Sequence, residues 1–383
     1  MIAPRFTTPF SGLADQEVFA VDERSAQLIV RGDTDVVSVD IDGQHIQAKT
    51  MRGVAVIDVD DLEADTAYEA VLSDGDGRSL GELPLQTRPT MGPILSRFAT
   101  ISDVHLGAEA FGPSPSIEDG EHKRGGADPY ALRTARAAIA EATGWGAELL
   151  VIKGDLTEAG AHSDWELARQ LLADCSIPYL LTPGNHDNWN SRDIDPAEAF
   201  EQLGASSDPV QQRNLDGVRI VIADTSLPGK GWGTLTPRAA ELEEAVATNT
   251  AVFLGIHQNI QRIPFPWFWP PGIPSTDAMP VVDELSAVNP HLFISSGHSH
   301  RNRVHWIGPK QRVLFTEVSA TADYPGVWAG YEVSERGIRQ TVRRIASTDA
   351  TSWTERTRGA LGGAWPRWSQ GRLSDRCVDL SYE

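Results

Sequence analysis

The chain of 383 residues contains two cysteines, Cys175 and Cys377, too few for the disulfide framework of a small secreted protein. No apolar run approaches the ~20 residues that cross a bilayer, and the opening MIAPRFTTPFSGLADQE lacks the apolar core of a secretory leader. Basic residues are scarce, with 33 Lys and Arg against 53 Asp and Glu and a formal net charge of −20. Such a surface repels nucleic acid, whose binding depends on cations neutralising phosphates. Glycine-rich phosphate loops, cysteine zinc motifs and serine nucleophile elbows are missing as well. These absences describe a cytoplasmic protein with neither nucleic acid nor membrane as partner. A small anionic substrate stays open if metal ions invert the field inside a cleft. A hydrophobic fraction of 40% and a charged fraction of 22% are those of a globular chain, long enough for two domains or for one large domain with an appendage.

Short alternating runs fill the first part: Glu17–Val21, Ala26–Arg31, Asp35–Ile41, Gly53–Val59 and Tyr68–Ser73. Turn signals such as Asp42-Gly43 and Asp74-Gly75-Asp76-Gly77 separate them, as in an antiparallel sandwich. The stretch Leu62–Tyr68 resembles the leucine, threonine and tyrosine pattern of fibronectin type III domains, which implies that Tyr68 makes a corner hydrogen bond. Thr87–Pro93 reads as a Pro/Gly linker. Beyond it, strands alternate with helices: strands at Phe98–Ser102, Leu149–Lys153, Tyr179–Thr182, Val218–Asp224, Ala251–Ile256, Leu292–Ser295 and Val313–Val318, and helices at Asp128–Ala142, Asp164–Leu172, Asp195–Leu203, Thr236–Ala247 and Met279–Ala287. Asp128-Pro129, Asp195-Pro196 and Thr236-Pro237 each place a capping residue before a helical proline. The expected fold is α/β, sheets covered by helices. The division is a small β-sandwich over 1–93, an α/β domain over 94–346 and a tail over 347–383.

Two irregular segments interrupt the alternation. Residues 108–127 are polar and rich in Gly and Pro, and 262–275 contain Pro264-Phe265-Pro266-Trp267-Phe268-Trp269-Pro270-Pro271. Long loops in α/β domains often serve as lids. The second is either a hydrophobic plug on the body or a partner, which makes a homo-oligomer plausible, or one wall of an active-site mouth. In the tail, Trp353, Trp365 and Trp368 argue for packing on the body.

The polar residues that follow the strands carry the chemistry. Asp103-Val104-His105 follows the first α/β strand and Gly154-Asp155 the second. Gly184-Asn185-His186-Asp187 follows the third, His257 the strand ending at Ile256, and Gly297-His298-Ser299-His300 the one after that. In open α/β sheets, ligands bind at that edge. Oxygen and imidazole donors without thiolate suit manganese, iron or zinc, and a carboxylate such as Asp155 can bridge two cations. In Asp-x-His and His-x-His the two ligands project alike if the backbone is extended. Glycines at 154, 184 and 297 let the chain turn without a Cβ clash. Two cations at about 3.5–4 Å clamp the oxygens of a phosphoryl displacement.

This order of blocks resembles the calcineurin-like metallophosphoesterases: Asp-x-His, Gly-Asp, Gly-Asn-His-(Asp/Glu), His and Gly-His-x-His. The resemblance implies a four-layer α-β-β-α sandwich, two β-sheets face to face with helices outside. It implies one metal held by Asp103, His105, Asp155 and His300, and another by Asp155, Asn185, His257 and His298. It makes His186 the unligated histidine that contacts the phosphate and protonates the leaving oxygen, and Asp187 its orienting partner. Purple acid phosphatases carry a metal-bound tyrosine where this chain has Glu158, and glycine where it has His105, so their chromophore is not expected. Ala320–Pro325 looks like a region of bacterial cyclic-nucleotide and glycerophosphodiester phosphodiesterases. The common His-His-Pro is here Ile256-His257-Gln258.

The implied activity is hydrolysis of a small phosphodiester by a hydroxide between two divalent transition-metal ions, with His186 as proton donor. A phosphomonoesterase with the same site, a nuclease and a non-catalytic scaffold are the alternatives. The net charge opposes the nuclease, and the complete residue set opposes the scaffold. The remaining histidines, His45, His122, His162, His291 and His305, read as surface or packing residues, with His122 near enough in sequence to reach the mouth; Asn259 could touch substrate but is not assigned to the site.

Overall fold

A computed structural model describes residues 15–308, 310 and 312–382. The leader reading rests largely on residues 1–14, which lie outside that range. Seven strands come first: β1 (Gln16–Val21), β2 (Ala26–Arg31), β3 (Val36–Ile41), β4 (Gln44–Lys49), β5 (Val54–Val59), β6 (Ala67–Asp74) and β7 (Ser79–Gln86). They form two antiparallel sheets, β1-β2-β5 and β4-β3-β6-β7. Leu28, Val37, Val39, Ile57, Val59, Leu72 and Leu85 bury the space between. The Tyr68 hydroxyl accepts from the Glu63 backbone N–H at 2.8 Å, the corner bond that the resemblance implied. The sequence reading missed β4, whose QHIQAK is too polar to announce a strand, and β7, which carries Gly81 and Pro84.

Twelve more strands build the body: β8 (Ile94–Ile101), β9 (Leu150–Lys153), β10 (Tyr179–Thr182), β11 (Val210–Leu215), β12 (Val218–Ala223), β13 (Ala251–Ile256), β14 (Leu292–Ser296), β15 (Arg303–Ile307), β16 (Val313–Glu317), β17 (Val327–Ser334), β18 (Gly337–Arg344) and β19 (Cys377–Ser381). One sheet has the order β10-β9-β8-β17-β18-β19, the other β11-β12-β13-β14-β16-β15. Alternate side chains along each strand go to opposite layers, as a period of two requires. Phe98, Val151, Ile220, Ile222, Phe253 and Tyr331 fill the space between the sheets, where Phe98 stacks on Tyr331 at 4.6 Å and meets Phe253 edge-on at 4.8 Å. Ala99, Leu150 and Ile152 face outward onto the helices Tyr130–Gly144 and His162–Ala173, and Val221, Val252 and Leu254 onto Ala239–Val246 and Ser275–Val288. The four-layer α-β-β-α sandwich therefore stands.

The tail supplies β19, which pairs antiparallel with β18. Trp353 and Trp365 are buried and Trp368 half-buried against the body. Two expected helix caps are corrected. Tyr130–Gly144 begins one residue later than Asp128-Pro129 proposed, and its first N–H groups include one that donates to Asp119, while Asp128 pairs with Arg136. Thr236 opens a single 3-10 turn, whose entry is held by the Asp277 carboxylate rather than by its own hydroxyl. Asp195 caps as expected, its Oδ1 accepting from the Ala197 N–H at 3.1 Å.

Candidate metal centre

β8, β9 and β10 run parallel in one sheet, and β12, β13 and β14 in the other. Their C-terminal ends meet at one edge of the sandwich. Asp103 and His105 follow β8, Asp155 follows β9, Asn185 and His186 follow β10, His257 follows β13, and His298 and His300 follow β14.

The extended backbone expected for Asp-x-His and His-x-His is not what brings the ligands together. Asp103, His105, Asp155, His298 and His300 have φ of 54°, 56°, 49°, 67° and 50°. The left-handed region is uncommon outside glycine and costs about 1–3 kcal/mol per residue. Surrounding bonds hold it: Asp103 N–H donates to Gly154 O at 3.1 Å, His105 N–H to Asp155 O at 3.0 Å, and His298 N–H to the Asp103 carboxylate at 3.0 Å. The glycines act through close approach. A Cβ on Gly154, at φ 83°, would sit 2.6 Å from His257 Nδ1; one on Gly184 would run into Asp155 Oδ1, and one on Gly297 into the Asp103 carboxylate and Ser102.

All the sequence-predicted residues are gathered here. Ligand atoms of Asp103, His105 and His300 lie within 4.8 Å of one another, as do those of Asp155, His257 and His298, and those of His105, Asp155 and His186. Asn185 Oδ1 is 3.2 Å from His257 Nε2. The last triad brings His186 beside His105 and Asp155.

The tautomers make the set more informative. His105 Nδ1 lies 2.8 Å from Glu158 Oε2, His300 Nδ1 2.8 Å from Asp323 Oδ2, and His257 Nδ1 2.8 Å from Lys153 O. Each partner accepts, so each ring presents its lone pair at Nε2. The Nε2 atoms of His105 and His300 then face each other at 3.3 Å, and His257 Nε2 faces Asp155 Oδ2 and Asn185 Oδ1, both at 3.2 Å. Among the described residues His298 Nε2 is buried without a hydrogen-bond partner. Lone pairs aimed at lone pairs repel unless a cation or proton lies between them. These donors fit a metal site, and the acceptors behind the imidazoles are the outer contacts that fix such ligands.

Charge in this buried set follows the same demand. Burial lowers His257, but Asp155 outweighs it and carries the ring up to about 9. Burial and the neighbouring His257 push His298 down to about 4. Burial opposes ionisation of Asp103 and Asp155, yet His300 and His257 respectively hold their carboxyls well below the usual range. Beneath the site, the buried Lys153 Nζ donates to Ser295 Oγ at 2.8 Å and Ser296 O at 2.9 Å, and burial drops it to about 7.

One expectation is corrected. Asp187 does not orient His186. Its carboxylate accepts from the Thr157 N–H at 2.8 Å, the Thr157 hydroxyl at 2.7 Å and the Gly184 N–H at 2.8 Å, and so clamps the loop after β9 to the loop after β10. His186 Nδ1 instead donates to Glu158 O at 2.7 Å. Glu158 and Asp323 are the residues that sequence reasoning undervalued: the first was noted only for replacing a tyrosine, the second only as part of Ala320–Pro325. His122 turns to Ala127 O at 2.9 Å, and neither it nor Asn259 reaches the cavity.

A cavity of about 470 Å³ opens over this cluster. Phe111, Trp189, Trp269, Pro270, Pro271 and Trp365 give it apolar walls, and among the described residues neither Lys nor Arg lines it. Both irregular segments thus meet at one mouth, and the Trp/Pro segment is a wall there rather than a buried plug.

Residues 96–302, more than half of the chain, match the model of the calcineurin-like phosphoesterase family. A glycerophosphodiester phosphodiesterase of Enterobacter lignolyticus is 35% identical over 115 residues, 28% of this chain and 41% of that protein. A probable glycerophosphodiester phosphodiesterase of Arcobacter nitrofigilis is 26% identical over 166 residues, 40% of this chain and 57% of that protein. The matches thus span about half the length of these curated relatives. A purple acid phosphatase from yellow lupin seeds superposes with a TM-score of 0.46 at 12% identity, covering 88% of this chain and 72% of that one.

Proposed function

Because this chain belongs to the calcineurin-like phosphoesterase family, we propose that it is a metal-dependent hydrolase of a small phosphodiester. The observation that carries the reading is the meeting of imidazole, carboxylate and carboxamide lone pairs at distances near 3.2 Å. In this reading one cation is held by Asp103, His105, Asp155 and His300, and a second by Asp155, Asn185, His257 and His298. The oxygen and imidazole donors suit manganese, iron or zinc. When bound, such ions neutralise phosphoryl oxygens and ready a water for attack.

The chain's own residues supply position and a proton. With Nδ1 committed to Glu158 O, His186 has Nε2 to offer to the departing oxygen, and its side chain is 26% exposed at the cavity. A bond forms from water oxygen to phosphorus, the bond to the leaving oxygen breaks, that oxygen takes the proton from His186 Nε2, and the proton shed by the attacking water passes to solvent, from which His186 is reprotonated. The lack of Lys and Arg among the described residues that line the cavity favours a singly charged diester over a doubly charged monoester. We also read the chain as three parts, 1–93, 94–346 and 347–383, in a reducing cytoplasmic setting that suits the free thiols of Cys175 and Cys377.

The test is an activity panel on protein stripped with chelator and reloaded with manganese, iron or zinc. Bis(p-nitrophenyl) phosphate, p-nitrophenyl phosphate, cyclic nucleotides and glycerophosphodiesters are compared. The proposal expects turnover that returns with metal and favours a diester. A preference for the monoester replaces it with a phosphomonoesterase, and an inert but fully metallated protein with a scaffold.

A further inference from the structure

Beside the cavity mouth stands a lip of aromatic side chains. Phe265, Trp267, Phe268 and Trp269 are 52%, 65%, 60% and 68% exposed. Trp269, with Pro270 and Pro271, also lines the cavity, so the lip is continuous with the site. Its backbone is braced. Gly272 N–H donates to Pro266 O at 3.0 Å, Ile273 N–H to Asn259 O at 2.8 Å, and the buried Gln261 amide donates to the carbonyls of Phe268, at 2.9 Å, and Pro270. A slack loop could fold its rings inward; this one holds them in water.

The charge around the lip departs from the rest of the molecule. The chain carries 53 Asp and Glu, yet residues 245–276 contain none. Two exposed cations flank the lip: Arg262 at its start, and Lys230, whose neighbour Gly231 abuts Pro271. Two copies, each of net charge −20, repel one another on approach, and two lips set face to face would oppose like cations at Arg262 and Lys230. A zwitterionic surface is not: its phosphates meet Arg262 and Lys230, and the aromatic rings settle at the boundary between headgroups and acyl chains.

We infer that the Phe265–Trp269 lip docks on a neutral, zwitterionic lipid–water interface, from which the cavity takes its phosphodiesters. This rests on the phosphodiesterase reading of the site and extends it to lipid-borne substrates. The expectation of no membrane partner followed from the lack of a spanning run, which does not bear on surface docking.

The experiment is co-sedimentation of the metal-loaded full chain with phosphatidylcholine vesicles, wild type beside W267A/F268A. The inference expects wild-type protein in the pellet, at least a tenfold loss of binding in the double variant, and an unchanged melting temperature. Wild-type protein left in the supernatant, or equal binding by both, overturns it. So does a wild-type dimer in light scattering that the double variant lacks, since a second copy then covers the lip. Turnover of soluble bis(p-nitrophenyl) phosphate is read on the same samples. Its absence defeats the phosphodiesterase reading, while vesicle binding is judged separately.

Discussion

Glu158 holds His105: carboxylate Oε2 and ring Nδ1 lie 2.8 Å apart, and the same residue's backbone carbonyl accepts from His186 at 2.7 Å. One residue therefore sets the tautomer of a proposed ligand and of the proposed proton donor. Glu158→Gln weakens the grip on His105 without emptying the space. Outer contacts of this kind are worth 10–100-fold in metal affinity. The expected outcome is a loss of that size in metal titrations, with turnover largely restored at saturating metal.

His186→Ala is expected to keep the full metal content and to cut turnover by roughly 10²–10⁴. The loss is larger for alkyl diesters, which need a proton on the leaving oxygen, than for nitrophenyl diesters, which do not. Metal analysis together with kcat on both substrates checks this. Loss of metal from the variant instead makes His186 a ligand, as its closeness to His105 and Asp155 allows.

Gly184→Ala drives a Cβ into Asp155 Oδ1. Asp155 also accepts from the His186 N–H at 2.8 Å, so neither loop can move alone. Strain at a buried site of this kind costs on the order of 2–4 kcal/mol. The variant is expected to melt several degrees lower and to bind less metal, measured by thermal unfolding with and without manganese.

Outside the cavity lining, Glu355 ties three regions of the chain together, meeting Arg31 of β2 at 2.9 Å and Arg344 of β18 at 2.8 Å from the tail helix Thr348–Arg358. Burial opposes its charge, but Arg344 and Arg31 win and hold the carboxyl at about 2, below its ordinary 4.5. A folded-state value below the unfolded one means that the stabilisation is present above pH 4.5 and is lost as pH falls towards 2. It amounts to about 3 kcal/mol. Glu355→Gln is expected to be less stable than wild type by about that much at pH 7, more if the arginines stay unpaired. The gap should close in denaturant melts as pH falls from 4.5 to 2. A gap that stays constant with pH disproves the ion-pair account.

Much of the body was legible in the sequence. Apolar runs such as Leu149–Ile152 and Ala251–Ile256 are buried on both faces, and an uninterrupted run announces that. Strands of mixed character were not. β4 is polar and half-exposed, and β18, GIRQTVRR, buries its arginines only because Asp379, Asp22 and Glu355, all from outside the strand and Asp22 from the first domain, pair with them. Asp187 shows the same limit: its place beside His186 suggested a contact, but the turn at Pro183-Gly184 directs its carboxylate to Thr157 and Gly184.

The sequence by itself determined which polar side chains stand at the strand ends, because residue type and position at a strand end are local properties. It also determined the layers, because a period of two separates inner from outer faces. Only the tertiary structure decided how those side chains meet. Left-handed turns at Asp103, His105 and Asp155 are held by backbone bonds between the loops after β8 and β9, and the one at His298 by its N–H on the distant Asp103 carboxylate. Glu158 and Asp323 gained their partners the same way, and the aromatic lip reached the mouth only when two irregular segments closed over one cavity. Contacts of that range follow from packing the whole chain, and no local pattern encodes them.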